Sequence, residues 1–381
     1  MSHVYFDHNA TTALDSRVLK AMLPFLTTQQ GNATSRHAYG RFARDAIETA
    51  REQVAKAVGA YPSQVVFTAS GTEANNFAIT GMAAKQPNTQ IAISAIEHPC
   101  VTRPAEMMQS RGWKLAKMGV NHQCELDFAQ LENALRVPTS LVSVMLANNE
   151  TGAIQNIAGV AELARKNGAY VHTDAVQAFG KIDVNFEALN VHAMTISSHK
   201  IHGPQGVGAL ILDKRVDIAP FMLGGGQEKG LRSGTENVAA IVGFGIACEL
   251  AIEKLHEHAL HTQSLRQQLE NGLQALNATI FSHHATRLPN TSFFAFPNIE
   301  GETLVMALDK KGFAVASGSA CSSDSTEPSH VLLAMGIAPD LARGAIRVSF
   351  DASNTVEQVS AFLTILKQEL KRLQQMVAMA A

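Results

Sequence analysis

The sequence predicts an α/β protein in two parts: a large domain whose mostly parallel central sheet is flanked by helices, and a smaller α+β C-terminal domain. In the first part, short β-branched runs that are apolar on both faces alternate with helical segments, which is typical of a parallel sheet covered on both sides. Beyond about residue 256 the pattern changes to mixed short strands and helices. The chain has 381 residues, of which 46% are hydrophobic, enough for two domains with large buried cores.

The large domain is predicted over residues 15–255. Apolar residues recur at helical spacing over 41–58, and Gly59 follows as a stop, which predicts a helix. Buried strands are predicted at 65–68, 91–94, 141–147, 169–173, 194–197 and 207–212. Further helices are predicted at 157–166 and near 238–255, the second after a glycine-rich segment at 224–226.

The smaller domain is predicted to combine residues 1–14 with 256–381. Its elements are a polar helix at 257–276, a strand at 291–296, a helix near 303–311, a Ser/Gly-rich loop at 317–328, a helix near 329–335, a strand at 346–350 and a terminal helix. The chain contains no internal repeat and no flexible linker between the two parts.

Composition argues against several classes of protein. A formal net charge of −2 without blocks of like charge argues against stable binding to nucleic acid or anionic lipid. The longest apolar stretch, 238–252, is too short to span a bilayer and contains two glycines. Four cysteines without a Cys-x-x-Cys pair do not form a disulfide framework. Because the first residues lack the pattern of a signal peptide, we expect a cytoplasmic protein with no membrane association.

Polar residues that directly follow strands are candidates for a ligand site, because ligands of parallel sheets bind beyond the carboxyl ends of the strands. The first candidate is the turn from Thr68 to Asn76, where Gly71 and Thr72 open a helix. Free amides at a helix start attract an anion such as phosphate. The alternative is a capping box between Ser70 and Glu73, which explains the same residues without any ligand.

Two further strand ends carry a carboxylate and an amine. Asp174 follows a buried strand, where it could equally cap a helix, and Gln177 lies three residues on. Lys200 also follows a strand; a desolvated lysine is a usable nucleophile for a carbonyl, whereas a lone lysine is more often a surface residue. These strand-end residues favour a catalytic site only when they are taken together. A phosphate cradle, an anion for a pyridinium nitrogen and a Schiff-base amine are the parts of a pyridoxal phosphate site.

An ordered set of motifs adds a family resemblance to this interpretation. The motifs are YFDHNATT at 5–12, GN at 31–32, EH at 97–98, NNETG at 148–152, HTDAVQ at 172–177, SSHK at 197–200, RSGT at 232–235 and SGSAC at 317–321. Together they resemble the cysteine desulfurases of the NifS/IscS type, within the class V aminotransferase-like fold. The resemblance runs from about residue 4 to about residue 375.

The resemblance implies a role for each matching residue around pyridoxal 5'-phosphate. Lys200 would bind the cofactor covalently and move the α-proton of the substrate, and Asp174 would pair with the pyridinium nitrogen. Gln177 would hydrogen-bond the phenolic oxygen, and His98 would stack on the ring and assist proton transfer. The phosphate would be held by Gly71, Thr72, Ser197, His199 and, from the neighbouring subunit of a homodimer, Thr235. The substrate would be held by Asn149 and Arg347, the latter offering a planar fork to its carboxylate.

Cys321 is the residue that separates this subfamily from plain aminotransferases. It lies in a polar, glycine-rich loop, whereas Cys248 lies in an apolar segment typical of a buried cysteine. The resemblance implies that L-cysteine is converted to L-alanine while its sulfur becomes a persulfide on Cys321. The sulfur would then pass to an acceptor protein, an iron–sulfur scaffold or a sulfur carrier. The open alternatives are an aminotransferase or selenocysteine lyase of the same fold, and a scaffold protein without catalysis.

Two smaller observations complete the sequence analysis. The helix-start motif reads Ala69-Ser70-Gly71-Thr72 where the family usually has Ser-Gly-Gly/Ala-Thr, so the serine is shifted by one position. His256, His258 and His261 could suggest a metal, but only the last two share a helix face and no further ligand completes a set. We therefore expect no metal site.

Overall fold

The computed structural model describes residues 3–318 and 327–380. Its strands are β1 (Val4–Tyr5), β2 (Val65–Thr68), β3 (Gln90–Ser94), β4 (Lys114–Met118), β5 (Thr139–Ser143), β6 (Tyr170–Asp174), β7 (Ala193–Ser197), β8 (Gly208–Leu212), β9 (Thr279–Ile280), β10 (Thr291–Ala295), β11 (Phe313–Ala314), β12 (Ala316–Ser317) and β13 (Ile346–Ser349). Its helices are α1 (Ser16–Thr27), α2 (Ala38–Ala57), α3 (Gly71–Ala83), α4 (Pro99–Ser110), α5 (Phe128–Ala134), α6 (Ile157–Lys166), α7 (Phe186–Leu189), α8 (Val238–Glu253), α9 (Leu255–Ala275), α10 (Gly301–Asp309), α11 (His330–Ala334), α12 (Pro339–Arg343) and α13 (Val356–Ala380).

A seven-stranded sheet forms the centre of the large part, in the order β2-β8-β7-β6-β5-β3-β4. All neighbouring pairs are parallel except those of β8, which runs antiparallel to both β7 and β2. Strands β2, β3, β5, β7 and β8 are buried along their whole length, as strands covered on both faces must be. The predicted fold class is confirmed.

The structure corrects the predicted elements in several places; strand β4 and the short helices α5, α7 and α12, for example, were not predicted. The strand predicted at 141–147 ends at Ser143, although the chain stays buried beyond it. Further on, Asn148 closes a turn: its Oδ1 accepts hydrogen bonds from the N–H groups of Glu150 (3.0 Å) and Thr151 (2.9 Å). Helices α1 and α4 were not predicted. Both contain proline inside the helix, Pro24 and Pro104, which breaks the usual helical signal.

Helices cover the sheet on both faces and enclose two apolar layers. One layer contains Ile47 of α2, Val160 of α6 and Phe244 of α8. The opposite layer contains Phe77 of α3 and Val101 of α4. Hydrophobic burial against these helices is what stabilises the strands, since each buried large side chain contributes about 1.5–3 kcal/mol.

A second core lies between an antiparallel sheet, in the order β12-β13-β10-β9, and helices α9, α10 and α13. Phe6 from the first residues of the chain is fully buried there and packs edge-on against Phe350 and Phe362, with ring centroids 5.0 and 5.6 Å apart. The N-terminal segment therefore packs with the C-terminal elements. The domain limits 15–255 and 1–14 plus 256–381 stay a prediction. No helix in the described ranges is long and apolar enough to cross a membrane.

An ion pair ties the loop after β7 to the end of β13. His202 Nε2 lies 2.8 Å from Asp351 Oδ1, and Nδ1 lies 2.9 Å from the carbonyl oxygen of Ala13. Both partners can only accept, so both ring nitrogens carry a proton and the imidazole is charged. Burial acts to lower the pKa of His202, but the hydrogen bond and charge of Asp351 outweigh it, so the pKa is raised.

This pair predicts a loss of stability at alkaline pH. A histidine whose folded pKa is raised stabilises the fold fully below its unfolded pKa of about 6.5 and loses that contribution as pH rises through the folded pKa. We expect the melting temperature of the apoprotein to fall from pH 6 to pH 9, with a loss of about 1 kcal/mol from this pair. The variant His202→Gln should have a flatter profile, and the control His122→Gln, at an exposed position, should follow the wild type. Parallel profiles for all three proteins would contradict the assignment.

Candidate active site

A cavity opens at the carboxyl ends of β2, β6 and β7, where parallel strands place their ligand sites. Most of the residues singled out in the sequence line this one cavity. They are Gly71, Thr72, His98, Asn149, Asp174, Gln177, Ser197, His199 and Lys200. The fold therefore brings together residues that are up to 129 positions apart in the chain (Gly71 to Lys200).

Asp174 forms the carboxylate end of the cavity. It is the last residue of β6, is 6% exposed, and accepts hydrogen bonds from Asn75 Nδ2 (2.7 Å) and the N–H of Val176 (2.9 Å). Burial raises the pKa of Asp174, opposed by these hydrogen bonds and by His98 and Lys200. A buried carboxylate of this kind favours a cationic partner, such as a protonated ring nitrogen.

The opposite end of the cavity is suited to an anion. Helix α3 begins at Gly71 and directs its first amides there, and the hydroxyl of Ser197 is buried with no hydrogen-bond partner among the described residues. A Cβ at Gly208 would lie 2.8 Å from the carbonyl carbon of Ser70 and 2.9 Å from the Gly71 nitrogen. Only glycine lets β8 pass this close to the helix start, so the cradle depends on it.

The capping box expected at Ser70 and Glu73 is only half formed. Ser70 Oγ accepts from the N–H of Glu73 at 3.1 Å and caps α3, as the sequence suggested. The Glu73 carboxylate instead binds Arg232, with Nε 2.7 Å from Oε1. The cap occupies the amide of Glu73 only, so it leaves the other first amides of α3 for an anion.

Lys200 lies in the turn Ser198–Lys200 that directly follows β7. Its Nζ donates to the carbonyl oxygens of Asn9 (2.6 Å) and Ala10 (2.7 Å). These carbonyls come from the N-terminal segment, so the amine is held at the cavity by contacts across the two parts of the chain.

His98 is the N-cap of α4, and its tautomer follows from its contacts. Nδ1 accepts from the N–H of Cys100 at 3.2 Å and lies 2.9 Å from Cys100 Sγ. Burial raises the pKa of the Cys100 thiol, which therefore stays protonated and can donate to the same nitrogen. Burial also lowers the pKa of His98, against the charge of Asp174. His98 is thus neutral, with its proton on Nε2.

Arg347 on β13 lies beside the cavity rather than in its wall. It is 7% exposed; Nη1 donates to the carbonyl oxygen of Asn149 (3.0 Å) and Nη2 to Asp7 Oδ1 (2.6 Å). Its buried Nε has no partner among the described residues. The guanidinium therefore retains N–H groups for a carboxylate next to Asn149.

Besides Arg347, two predicted residues are not part of this cavity as described. Thr235 lies on an exposed loop before α8. Cys321 lies outside the described residues, so its role stays a prediction. Conversely, the sequence analysis missed Asn75 and assigned no role to Cys100, although both line the cavity. Asn75 lies one helical turn after Gly71 on α3. This spacing is the sequence signal that could have predicted its place in the cavity.

No group of three or more His, Cys, Asp or Glu residues within 3–318 and 327–380 is arranged to hold a metal ion. Of the histidines considered earlier, His261 instead lies with Nε2 2.9 Å from the carbonyl oxygen of Asn354.

Comparison with known proteins identifies the family. The model of the aminotransferase class-V family matches residues 4–362. A cysteine desulfurase of Gluconacetobacter diazotrophicus is 42% identical over 381 residues, covering 99% of this chain and 95% of that protein. The chain belongs to the cysteine desulfurases of the aminotransferase class-V family. A cysteine desulfurase IscS of Dictyoglomus turgidum is 41% identical over 374 residues, covering 97% of this chain and 95% of that protein.

Solved structures agree with this membership in the cysteine desulfurases. A NifS-like protein has a TM-score of 0.92 at 40% identity, covering 97% of this chain and 99% of that one. SspA in complex with cysteine has a TM-score of 0.80 at 31% identity, covering 92% and 99%.

Desulfurases of this family use pyridoxal 5'-phosphate, and the cavity fits that group. The unpartnered Ser197 hydroxyl and the start of α3 suit its phosphate, and the buried Asp174 suits its ring nitrogen. Lys200 supplies an amine to the same cavity. The chemical demands of the group are therefore met by residues on three different elements.

The contact between Asn75 and Asp174 gives a test of this fit. Asn75→Ala removes a hydrogen bond to a carboxylate, so we expect the affinity of the apoenzyme for pyridoxal phosphate to fall about tenfold. Fluorescence titration of the apoenzyme with the cofactor measures this. The matched control is Asn76→Ala, because within the described ranges the Asn76 amide donates to the carbonyl oxygens of Thr72 and Cys100 and not to Asp174. Equal losses in the two variants would show that Asn75 does not act through Asp174.

Proposed function

We propose that this enzyme converts L-cysteine to L-alanine and transfers the sulfur to Cys321, with the residues of the described cavity in the roles given below. The observation that carries the proposal is the meeting of Asp174, Lys200 and His98 in one buried cavity at the carboxyl edge of the sheet. The chain's similarity to a cysteine desulfurase, and to SspA, which was solved in complex with cysteine, supports the same reaction. When bound, pyridoxal phosphate supplies an electron sink for charge that develops at Cα of the substrate.

Lys200 and His98 are the proposed proton-transfer groups. Lys200 would hold the cofactor through its amine and would be placed to take the proton from Cα of the substrate. The backbone carbonyls of Asn9 and Ala10 orient its amine. His98 offers a proton from Nε2, because Nδ1 is already engaged with Cys100. Asp174 keeps the ring nitrogen protonated, for which its burial beside Asn75 is the physical basis.

The sulfur transfer balances with Cys321 as the nucleophile. The thiolate of Cys321 attacks the sulfur of the substrate, an S–S bond forms, and the bond between Cβ and sulfur breaks. Cβ then receives a proton, so that L-cysteine and a thiol give L-alanine and a persulfide. The outer sulfur of the persulfide then passes to an acceptor protein, an iron–sulfur scaffold or a sulfur carrier.

A homodimer and a cytoplasmic location belong to the same proposal. Large apolar side chains are exposed on one face of α1 at Leu19, Leu23 and Leu26, with 42%, 45% and 60% exposure. Phe42 of α2, 47% exposed, stacks on Phe25 beside them. An apolar surface of this kind supports contact with a second copy. In such a dimer the exposed Thr235 would reach the neighbouring phosphate site.

Replacing Cys321 tests the sulfur-transfer step. We expect Cys321→Ala to lose sulfide and alanine production by at least about 100-fold, since its nucleophile is gone, while the bound cofactor keeps its visible absorbance. Cys248→Ala, in a buried cysteine of α8, is the matched control and should keep near-wild-type turnover. An aminotransferase would be indifferent to the loss of Cys321. Unchanged sulfide release in Cys321→Ala would therefore refute the desulfurase mechanism.

Replacing Arg347 tests substrate binding. Arg347→Lys keeps the charge but loses the planar fork, so we expect KM for L-cysteine to rise about tenfold. Alanine formation measured against cysteine concentration gives the value. Arg343→Lys, in an exposed ion pair with Asp340, is the control and should leave KM unchanged. If kcat falls while KM stays constant, the arginine does not bind the carboxylate of the substrate.

A further inference from the structure

A second lysine lies beside the site and has no part in the proposed reaction. Lys181 follows Gln177 by four residues, and its Nζ donates to Gln177 Oε1 and to Asn9 Oδ1, both at 2.7 Å. It lines a cleft next to the cofactor cavity, and Lys200 is common to the walls of both. Lysine amines are rarely enclosed without a function, because desolvation is costly.

The contacts of Lys181 decide which way the side-chain amide of Gln177 points. A lysine ammonium only donates, and a neutral amine still has two N–H groups for two oxygens. The oxygen of Gln177 must therefore face Lys181. On the other side, Gln177 Nε2 lies 2.9 Å from the carbonyl oxygen of Asn9, which only accepts. Two independent neighbours thus require the same orientation, and one N–H of Nε2 remains for the cavity.

Asn9, the second acceptor for Lys181, is itself fixed. It is 1% exposed, and its Nδ2 donates to the carbonyl oxygen of Asn149 (3.1 Å) and to Thr291 Oγ1 (2.9 Å). Its Oδ1 also accepts from Asn290 Nδ2 at 3.1 Å. The lysine therefore connects Gln177 to a rigid anchor instead of to a mobile side chain.

We propose that Lys181 is a positioning residue that makes Gln177 present an N–H, and not its oxygen, to the phenolic oxygen of pyridoxal phosphate. The inference rests on the proposed contact of Gln177 with that oxygen. An N–H donor at this point stabilises the deprotonated form of the phenolic oxygen. The bound cofactor, which is the chromophore of the holoenzyme, would therefore release its proton at a lower pH. If the Gln177 amide were reversed, its oxygen would face the phenolic oxygen, and two hydrogen-bond acceptors would oppose each other.

The charges around Lys181 are compatible with this role. Burial lowers the pKa of Lys181 well below its ordinary value, the charges of Lys200 and Arg347 lower it further, and Asp351 opposes them. His8 also lies close enough for Lys181 to act on its pKa. The neutral amine still has one N–H for each of its two oxygen partners, so both contacts can form whether or not Lys181 is charged.

The test is a pH titration of the visible absorbance of the holoenzyme. In Lys181→Met the Gln177 amide loses one of its two orienting contacts and keeps only the one to the carbonyl oxygen of Asn9, so we expect the pKa of the chromophore to rise by up to about one, the scale of one hydrogen bond to a charged oxygen. The control Lys254→Met removes another lysine from the wall of the same cleft and should leave that pKa unchanged.

A double-mutant cycle separates positioning from a simple charge effect. If Lys181 acts through Gln177, Gln177→Leu alone raises the pKa of the chromophore, and adding Lys181→Met to it changes little more. An equal rise in both backgrounds would show that Lys181 acts as a point charge and would overturn the proposal. No rise in Lys181→Met alone would also overturn it.

A further variant covers the case in which Lys181→Met does not fold. Gln177→Glu keeps an oxygen toward Lys181 but replaces the N–H that faces the cofactor, so the pKa of the chromophore should again rise. An unchanged pKa would mean that an oxygen faced the cofactor from the start and would refute the orientation. If Gln177→Leu has no effect at all, the proposed contact of Gln177 fails; if only Lys181→Met has none, this inference fails alone.

Discussion

The cavity depends on the hydrogen bonds of one buried residue, Asn9, whose backbone and side chain together join three parts of the chain. Its backbone carbonyl accepts from Lys200 and Gln177, its amide reaches Asn149 and Thr291, and its own N–H donates to Ser349 at 2.9 Å. These partners belong to the large sheet and to the C-terminal sheet. Because a buried amide with unsatisfied groups costs about 1–3 kcal/mol, the two parts must close on each other for Asn9 to be satisfied. The contact between the two parts and the arrangement of the site therefore depend on the same residue.

Desolvation is the second constraint, and it acts on acids and bases in opposite directions. Burial raises the pKa values of Asp174 and of Glu97, whose Oε1 accepts from the N–H of Met145 at 2.6 Å. The same burial lowers the pKa of His98. Burial therefore disfavours the charged form of each of these groups. A cationic ring nitrogen and an anionic phosphate bring the charges that these residues are arranged to receive.

The chemistry of the site could be predicted from the sequence where it depends on local pattern. Asp174 and Lys200 follow apolar strands, and a strand end is visible within a few residues. The supporting contacts could not be predicted, because their partners are distant: Asn75 and Asp174 are 99 positions apart, and Lys181 and Asn9 are 172 apart. The antiparallel direction of β8 was not predicted either, since strand direction depends on pairing across the sheet and not on the composition of one strand.

The antiparallel direction of β8 has a consequence for where Lys200 is held. Ser197 of β7 pairs directly with Gly208 of β8, so Lys200 sits on a short loop that is closed at its base by the sheet. A tethered amine of this kind has an effective concentration in the millimolar range or above. In the proposed role of Lys200, the displaced lysine would stay within reach of the cavity. Its return would then be an intramolecular reaction that needs no amine from solution.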